Sequence, residues 1–261
     1  MNTENKPKLQ GNQSAEKAFR ILEFLVRQSE PTRLMDIANA VEMNNSTTLR
    51  FLTTMVSMGY VAQESDTSRY YLTYKIVSLA RSISENKQIS KTVSPYLKII
   101  SDTLQETVCL AIEQNSQVVY VDMKEGPRQI IKAMQRIGSI APMHCTGIGK
   151  LLLQNYSEAQ IDDYIRQKGL QQFTQYTLVT RDALLHELSE VRKQGYALDN
   201  EECEIGARCL AFPIYDSTDR IIAGISVTGP SSRITKDFAD KWIPFLNQIT
   251  QEISRQFGWN G

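Results

Sequence analysis

The stretch Leu34-Met35-Asp36-Ile37-Ala38-Asn39-Ala40-Val41-Glu42-Met43-Asn44-Asn45-Ser46-Thr47-Thr48-Leu49-Arg50-Phe51-Leu52 decides how the first part of this chain folds. Leu34, Ile37, Ala38 and Val41 recur at the spacing of one helix face. Glu42-Met43-Asn44-Asn45 is a polar break. A second helical run follows over Ser46–Ser57, and then Gly59. Further on, Tyr60–Gln63 and Tyr70–Leu72 are short β-type runs. They flank the polar tip Glu64-Ser65-Asp66-Thr67-Ser68-Arg69, which has hairpin chemistry. Upstream, Ser14–Gln28 places Ala18, Ile21, Leu22, Leu25 and Val26 on one stripe of a first helix. Helices joined by a tight turn and followed by a hairpin make a winged helix-turn-helix, an arrangement that reads DNA.

The second helix carries the reading chemistry. The side-chain oxygen of Asn44 is placed to cap it. With Thr48, Phe51, Leu52 and Met55 turned inward, the opposite face carries Ser46, Arg50, Thr53, Thr54 and Ser57, with Asn45 and Thr47 near its leading end. That face has hydroxyls, amides and one Arg, and no acid. Such groups hydrogen-bond base edges and phosphates. A merely solvated helix face is the competing reading, but an acid-free polar face of this length is uncommon there. The expected DNA contacts are Arg33, Asn44, Asn45, Ser46, Thr47, Arg50, Thr53 and Thr54, with Arg69 on the wing. Bulk charge adds little, because the first 75 residues hold nine Lys/Arg against eight Asp/Glu.

The chain has 261 residues and a formal net charge of zero, enough length for two domains. It has no apolar run long enough for a membrane span. The first ten residues are polar and lack the apolar centre of a signal peptide. They are expected to be a disordered tail on a cytoplasmic protein. The four cysteines, Cys109, Cys145, Cys203 and Cys209, form no C-x-x-C pair, so reduced thiols are expected. His144 and His186 are the only histidines. His144 beside Cys145 is poor chelating spacing, so neither metal nor cofactor is expected.

Beyond the hairpin, Tyr74–Ser84 repeats apolar residues in the manner of a connecting helix, and Glu85–Gln88 is a polar break. Val93–Leu104 reads as a helix with Pro95 in its first turn. Thr107–Ile112 and Val118–Met123 read as strands joined by Glu113-Gln114-Asn115-Ser116, and Gln129–Met134 as a third strand. Thr146–Gln154 is helical. Ser157–Gln167 opens with capping-box spacing between Ser157 and Gln160 and is followed by Gly169. Arg181–Gln194 stops at Gly195. Cys209–Ile214 and Ile221–Thr228 are strands. Thr235–Phe257 is a terminal helical region, bent or broken near Pro244. The reading is α+β: a tail over 1–10, a winged helix over 11–73, a linker helix over 74–88, and a ligand-sensing domain over 89–258.

Alternation divides Ile221–Thr228 into a core face (Ile221, Ala223, Ile225, Val227) and a face that turns small and polar (Ile222, Gly224, Ser226, Thr228). Cys209–Ile214 behaves alike, with Leu210, Phe212 and Ile214 opposed to Cys209, Ala211 and Pro213. Two small faces leave space under a cover, and hydroxyls there need partners. Pro142-Met143-His144-Cys145-Thr146-Gly147-Ile148-Gly149-Lys150 supplies a lid ahead of Leu151–Gln154. A helix start with free N–H groups accepts a carboxylate. The Gly-Lys spacing is not that of a Walker A loop. Equally, Gly147 and Gly149 could simply permit close packing.

At this point specific runs accumulate. Asn45-Ser46-Thr47-Thr48-Leu49-Arg50-Phe51-Leu52, Gly59-Tyr60-Val61 and Tyr70-Tyr71-Leu72-Thr73 are followed by Pro142–Lys150 and by Gly195-Tyr196-Ala197-Leu198-Asp199-Asn200-Glu201-Glu202. Gly206-Ala207-Arg208-Cys209-Leu210-Ala211 and Ile225-Ser226-Val227-Thr228-Gly229-Pro230 complete the set. In these runs the chain resembles the IclR family of bacterial transcriptional regulators over about residues 11 to 258. The resemblance implies a C-terminal effector domain of GAF-like shape and a homodimer formed through the DNA-binding halves, often paired into a tetramer. It also implies a double-stranded operator and a small carboxylate effector. Its effector set falls on Gly147, Ile148, Asp199, Cys209, Ser226 and Thr228. Ile148 stands where many members have Ala and Thr228 where many have Ser, so effector identity does not transfer. Within the family, Arg50-Phe51-Leu52, Gly59-Tyr60-Val61-Ala62-Gln63-Glu64, Ile148-Gly149-Lys150 and Asp199-Asn200-Glu201-Glu202 are most like regulators of 2-keto-3-deoxygluconate and pectin catabolism.

The expected protein is therefore an effector-responsive transcription factor, most simply a repressor, and not an enzyme. An enzyme would have to use Asp199, Cys209 and His144, yet Cys209 lies in an apolar strand that keeps a thiol inert. A DNA-binding protein without a ligand would leave the small polar strand face unexplained.

Overall fold

The computed structural model describes residues 12–79, 88–126 and 136–261. The tail over 1–10, most of the expected break at Glu85–Gln88 and the expected strand Gln129–Met134 lie outside the described residues. The chain divides into two compact units between Lys87 and Gln88.

In the first unit, α1 (Gln13–Val26), α2 (Leu34–Ala40) and α3 (Asn45–Ser57) precede a hairpin of β1 (Val61–Gln63) and β2 (Tyr70–Leu72). Ile21, Leu25, Ile37, Val41, Leu52, Met55, Val61 and Tyr70 form its core, with Phe51 packed at the edge. Val26, expected on the inner stripe of α1, is instead exposed, because the helix ends there. The turn between α2 and α3 works through Glu42, whose φ of 55° is left-handed, and through Asn44 as N-cap. The wing is larger than the sequence implies. Thr32 bridges to Tyr70, its N–H donating to the Tyr70 carbonyl at 2.9 Å and its carbonyl accepting from Tyr70 at 2.8 Å. A helical stretch at 75–79 follows the hairpin.

The second unit is a six-stranded antiparallel sheet between two helical layers. In chain order its elements are α4 (Gln88–Leu104), β3 (Thr107–Gln114), β4 (Gln117–Lys124), β5 (Ile140–Ala141), α5 (Gly147–Leu152), α6 (Glu158–Lys168), α7 (Arg181–Gln194), β6 (Ala197–Asn200), β7 (Ala207–Tyr215), β8 (Ile221–Pro230) and α8 (Lys236–Gln256). The strand order is β5-β4-β3-β8-β7-β6. On one face Val93, Leu97 and Ile100 of α4 and Leu246, Ile249 and Ile253 of α8 meet Val108, Leu110, Phe212, Ile225 and Val227. On the other, Ile148, Leu151 and Leu152 of α5, with Ile161, Leu184 and Leu188, meet Cys109, Ala111 and Ala211. Each fully buried Leu or Ile contributes roughly 1.5–3 kcal/mol to this core.

The β3–β4 connection is a two-residue turn with Asn115 and Ser116 both at positive φ, which matches the twist of the strands it joins. Ser157 and Gln160 form the full capping box of α6, and Gly195 ends α7 in the left-handed conformation at φ 76°. Three further expectations are corrected and one element is added. α4 begins at Gln88, so Pro95 stands in the helix interior and not in its first turn. α8 runs unbroken through Pro244, since the missing N–H removes one internal bond while packing of Leu246 and Ile249 holds both halves. Ala197–Asn200 is an additional strand, and it carries Asp199. Ile221 packs with the α5 side rather than the core face, because the β7–β8 register shifts between Ile214 and Tyr215.

Candidate functional site

The polar face of α3 emerges as a surface. Ser46, Arg50, Thr53, Thr54 and Ser57 are exposed, as are Asn44, Asn45 and Arg33; Thr47 and Arg69 are half-buried. Four of these side chains are already engaged in holding the helix. Asn44 Oδ1 accepts from the Thr47 N–H at 2.8 Å and from the Ser46 hydroxyl at 2.9 Å. Thr54 donates to the Arg50 carbonyl at 3.1 Å and Ser57 to the Thr54 carbonyl at 2.8 Å. Arg50 is the cation left on the face. Ser14 and Lys17 of α1 share a shallow groove with Thr47, Arg50, Phe51 and Thr54. Their contribution was not read from the sequence, although Lys17 lies off the apolar stripe of α1. Lys75, the other basic residue near the wing, is occupied: its ammonium donates to the Met58 carbonyl at 2.6 Å and sits 4.6 Å from the Tyr60 ring.

In the second unit α5 lies on the sheet at very close range, and small residues permit it. A Cβ on Gly147 would come within 2.9 Å of the Ala211 Cβ. One on Gly149 would lie 2.3 Å from the Met143 Cα, and one on Gly224 would lie 2.8 Å from Ile148 Cγ2. Part of the small strand face therefore serves packing. Further along the strands the fit ends, and a cavity of about 280 Å³ opens. Gly147, Ile148, Asp199, Cys209 and Ser226 line it, together with Thr146, Tyr120, Cys203 and Glu204, and Ser139, Ile140 and Ala141 form its outer edge. Thr228 is not among the lining residues; it is buried, and its hydroxyl donates to Cys209 Sγ at 3.1 Å. Tyr120 was legible from alternation in β4, where Val118 and Tyr120 share a face. Cys203 and Glu204 sit in the β6–β7 connection, which has no periodicity to read.

The electrostatics of this cavity are unusual for an anion site. Among the described residues the lining includes two acids, Asp199 and Glu204, and no Lys or Arg. Burial and then the nearby Glu202 raise the Asp199 carboxyl to about 7, against two backbone N–H groups that hold it down. Those are Glu202 at 2.9 Å and Cys203 at 3.4 Å, both donating to Oδ1. Asp199 thus spends much of its time neutral near pH 7. Behind it, the fully buried Lys150 of α5 donates to Glu187 of α7 and Glu202, each at 2.7 Å. Burial acts to lower the Lys150 ammonium, but the two glutamates outweigh it and keep it charged. Glu202 is itself raised, because burial outweighs the Lys150 charge. This triad fixes the start of α5 relative to the β6–β7 connection.

Thr146 caps α5, accepting from the Gly149 N–H at 3.2 Å while donating to the Pro142 carbonyl at 2.7 Å. The first N–H groups of a helix have no partner within it, and Gly147 and Ile148, which open α5, both line the cavity. His144 faces elsewhere. Its ring is buried between the Tyr164 hydroxyl (3.3 Å) and the Gln171 carbonyl (3.0 Å), and burial lowers its pKa. Burial pushes the Cys209 thiol far up as well. Among the described residues nothing around Cys209 activates it as a nucleophile. Among the described residues no group of three or more His, Cys, Asp or Glu gathers as a metal set.

A winged helix joined in one chain to a sheet domain with an internal polar cavity defines a class, the DNA-binding regulator with its own sensor. The comparisons narrow it. Residues 14–65 match the IclR helix-turn-helix domain, and residues 81–255 match the bacterial transcriptional regulator IclR C-terminal family. The chain belongs to the IclR family of DNA-binding transcriptional regulators. It is 33% identical to the HTH-type transcriptional regulator KdgR of Dickeya chrysanthemi, over 94% of this chain and 79% of that one. It is 31% identical to the HTH-type transcriptional repressor AllR of Escherichia coli K12, over 95% and 91%. The Thermotoga maritima IclR crystal structure superimposes with a TM-score of 0.80 at 29% identity, covering 94% of this chain and 99% of that one. No described helix is long and apolar enough to cross a membrane.

Proposed function

We propose that this chain is a cytoplasmic repressor of a catabolic operon, released from or held on its operator by a small carboxylate metabolite of the keto-acid or sugar-acid class. Residues 11–73 read DNA, 74–88 connect, and 89–258 bind the effector. The carboxylate lies on the N–H groups of Gly147 and Ile148; Ser226 and Asp199 meet its hydroxyl or keto oxygens, and Cys209 and Ile148 shape the floor. Thr228 acts from behind, by orienting Cys209. The observation that carries this reading is that five of the six residues expected at an effector site line one cavity at a helix start. The kinship to KdgR and the sequence runs shared with 2-keto-3-deoxygluconate regulators put that keto sugar acid first among candidates.

On the DNA side, Arg50 reads a base edge, Asn45, Ser46, Thr47, Thr53 and Thr54 contact bases or phosphates, and Arg33 and Arg69 contact phosphates. Asn44 contributes through its cap. Exposed Phe19 and Val26 on α1, and Tyr74 and Val77 after the wing, support a dimer through the N-terminal unit, which can pair into a tetramer, on a near-palindromic operator.

The deciding experiment is thermal unfolding with a panel of keto and sugar acids, 2-keto-3-deoxygluconate included. A ligand at 100 times its Kd adds about 2.7 kcal/mol. Coupling to DNA is reciprocal, so operator must shift that ligand's affinity by the factor by which the ligand shifts operator binding. An acid that stabilises wild type but not Ser226→Ala locates the site. A panel without any stabilising acid, or ligand affinity indifferent to operator, overturns the reading.

A further inference from the structure

Cys145 and Cys203 stand 58 positions apart, yet their sulfur atoms lie 3.2 Å from one another. Both are free thiols. Each is held by a separate, well-anchored backbone. On the Cys145 side, the Met143 and His144 N–H groups both donate to the Tyr164 hydroxyl at 3.2 Å, and Thr146 is tied to Pro142. On the Cys203 side, Asp199 accepts from the Glu202 and Cys203 N–H groups. Thr177 donates to the Glu202 carbonyl at 2.6 Å and Thr174 to the Glu201 carbonyl at 2.7 Å. A disulfide bond is about 2.05 Å long, so the two sulfurs need to close by roughly 1 Å. Cys145 is fully buried, whereas Cys203 is half-exposed and lines the cavity.

We propose that Cys145 and Cys203 are a redox pair, closed by hydrogen peroxide into a disulfide that staples the β6–β7 connection to the start of α5 across the cavity wall. The Cys203 sulfur, reached through the cavity, displaces water from the peroxide and becomes a sulfenic acid as the O–O bond breaks. The Cys145 sulfur then attacks it, the S–S bond forms, and the second oxygen leaves as water. Two thiols lose two electrons and two protons, and one peroxide becomes two waters. The hydrogen bond with Cys145 and then burial raise the Cys203 thiol, so only its small thiolate fraction attacks and the reduced pair persists until peroxide accumulates. The bond would tie Thr146–Ile148 to the segment bearing Asp199, Cys203 and Glu204. The shape of the cavity would then report peroxide, whatever ligand the cavity takes.

Full-length protein treated with hydrogen peroxide should fall from four titratable thiols to two. A peptide map without reductant should show Cys145 linked to Cys203, and dithiothreitol should restore all four. Cys145→Ser should give no cross-link and should leave a Cys203 sulfenic acid that dimedone traps. Amide exchange over residues 201–206 should slow in oxidised wild type. A cross-link between Cys109 and Cys209, oxidation of Cys203 to sulfinic acid without cross-linking, or four surviving thiols would each overturn the proposal. A cross-link that leaves exchange over 201–206 unchanged would overturn its action on the cavity wall. These readouts need no effector, so failure of the effector reading leaves them intact.

Discussion

The two candidate sites are made in opposite ways. The face of α3 consists of side chains left over once Thr48, Leu52 and Met55 have formed a core, and its hydrogen bonds are all local. The cavity is a place where a core fails to close. Its lining comes from β4, β5, α5, β6, β7, β8 and the β6–β7 connection, and its shape depends on a buried Lys–Glu triad and on three glycines. It follows that function and stability should separate in the first unit and should be hard to separate in the second.

The largest test of that contrast is Lys150→Met. Removing the ammonium leaves Glu202 buried without its partner, a change that costs about 3–5 kcal/mol. Denaturant unfolding should show the second unit destabilised by that amount while the first melts unchanged. A second unit as stable as wild type would mean the triad is not what holds α5. Next is Arg50→Ala, which should weaken operator binding by about 1–3 kcal/mol if it reads a base, with no change in melting temperature. A loss equal on random DNA, with a reduced salt slope, would reassign Arg50 to phosphate.

A third effect is set by Asp199. Below about pH 7 its carboxyl is neutral, and above it a negative charge appears in the cavity. Carboxylate affinity should therefore be level below pH 7 and fall about tenfold per pH unit above it, roughly 1.4 kcal/mol each. Calorimetry across that range tests this, and Asp199→Asn should flatten the profile. The same shift affects folding. An unfolded Asp ionises near 3.8 while the folded one keeps its proton up to about 7. The stability Asp199 contributes is complete below the lower value, is lost across the window between them, and is constant beyond. The smallest effect should be Asn44→Ala, which removes a cap worth about 1 kcal/mol. Because the cap is local, its cost should appear in the first unit's melting and only secondarily in DNA affinity.

What could be read in the sequence follows the same division. The helix-turn-helix was legible because its signals are local: apolar spacing, an Asn before a helix, polar hairpin chemistry. Capping at Ser157 and the stop at Gly195 were legible for that reason too. Ser226 and Cys209 could be chosen because strand alternation is regular. The Thr32–Tyr70 bridge and the short β6 could not, since a single bridge or four residues leaves no period. Pro244 misled because its local effect is real but packing overrides it. Thr228 shares a strand face with Ser226, yet the cavity ends before it, which strand alternation cannot show. Cys203 and Glu204 carry no pattern at all.

The contact between Ile148 and Gly224 has a consequence for how such a sensor could change. The Ile148 branch occupies the volume where a side chain at 224 would begin. The two positions therefore share one allotment of space, and neither can grow unless the other shrinks. An exchange of sizes, with a small residue at 148 and a larger one at 224, would conserve core volume while moving the cavity floor. Only position 148 faces the cavity. A lineage could thus trade bulk across this one contact and acquire a new metabolite without refolding the domain.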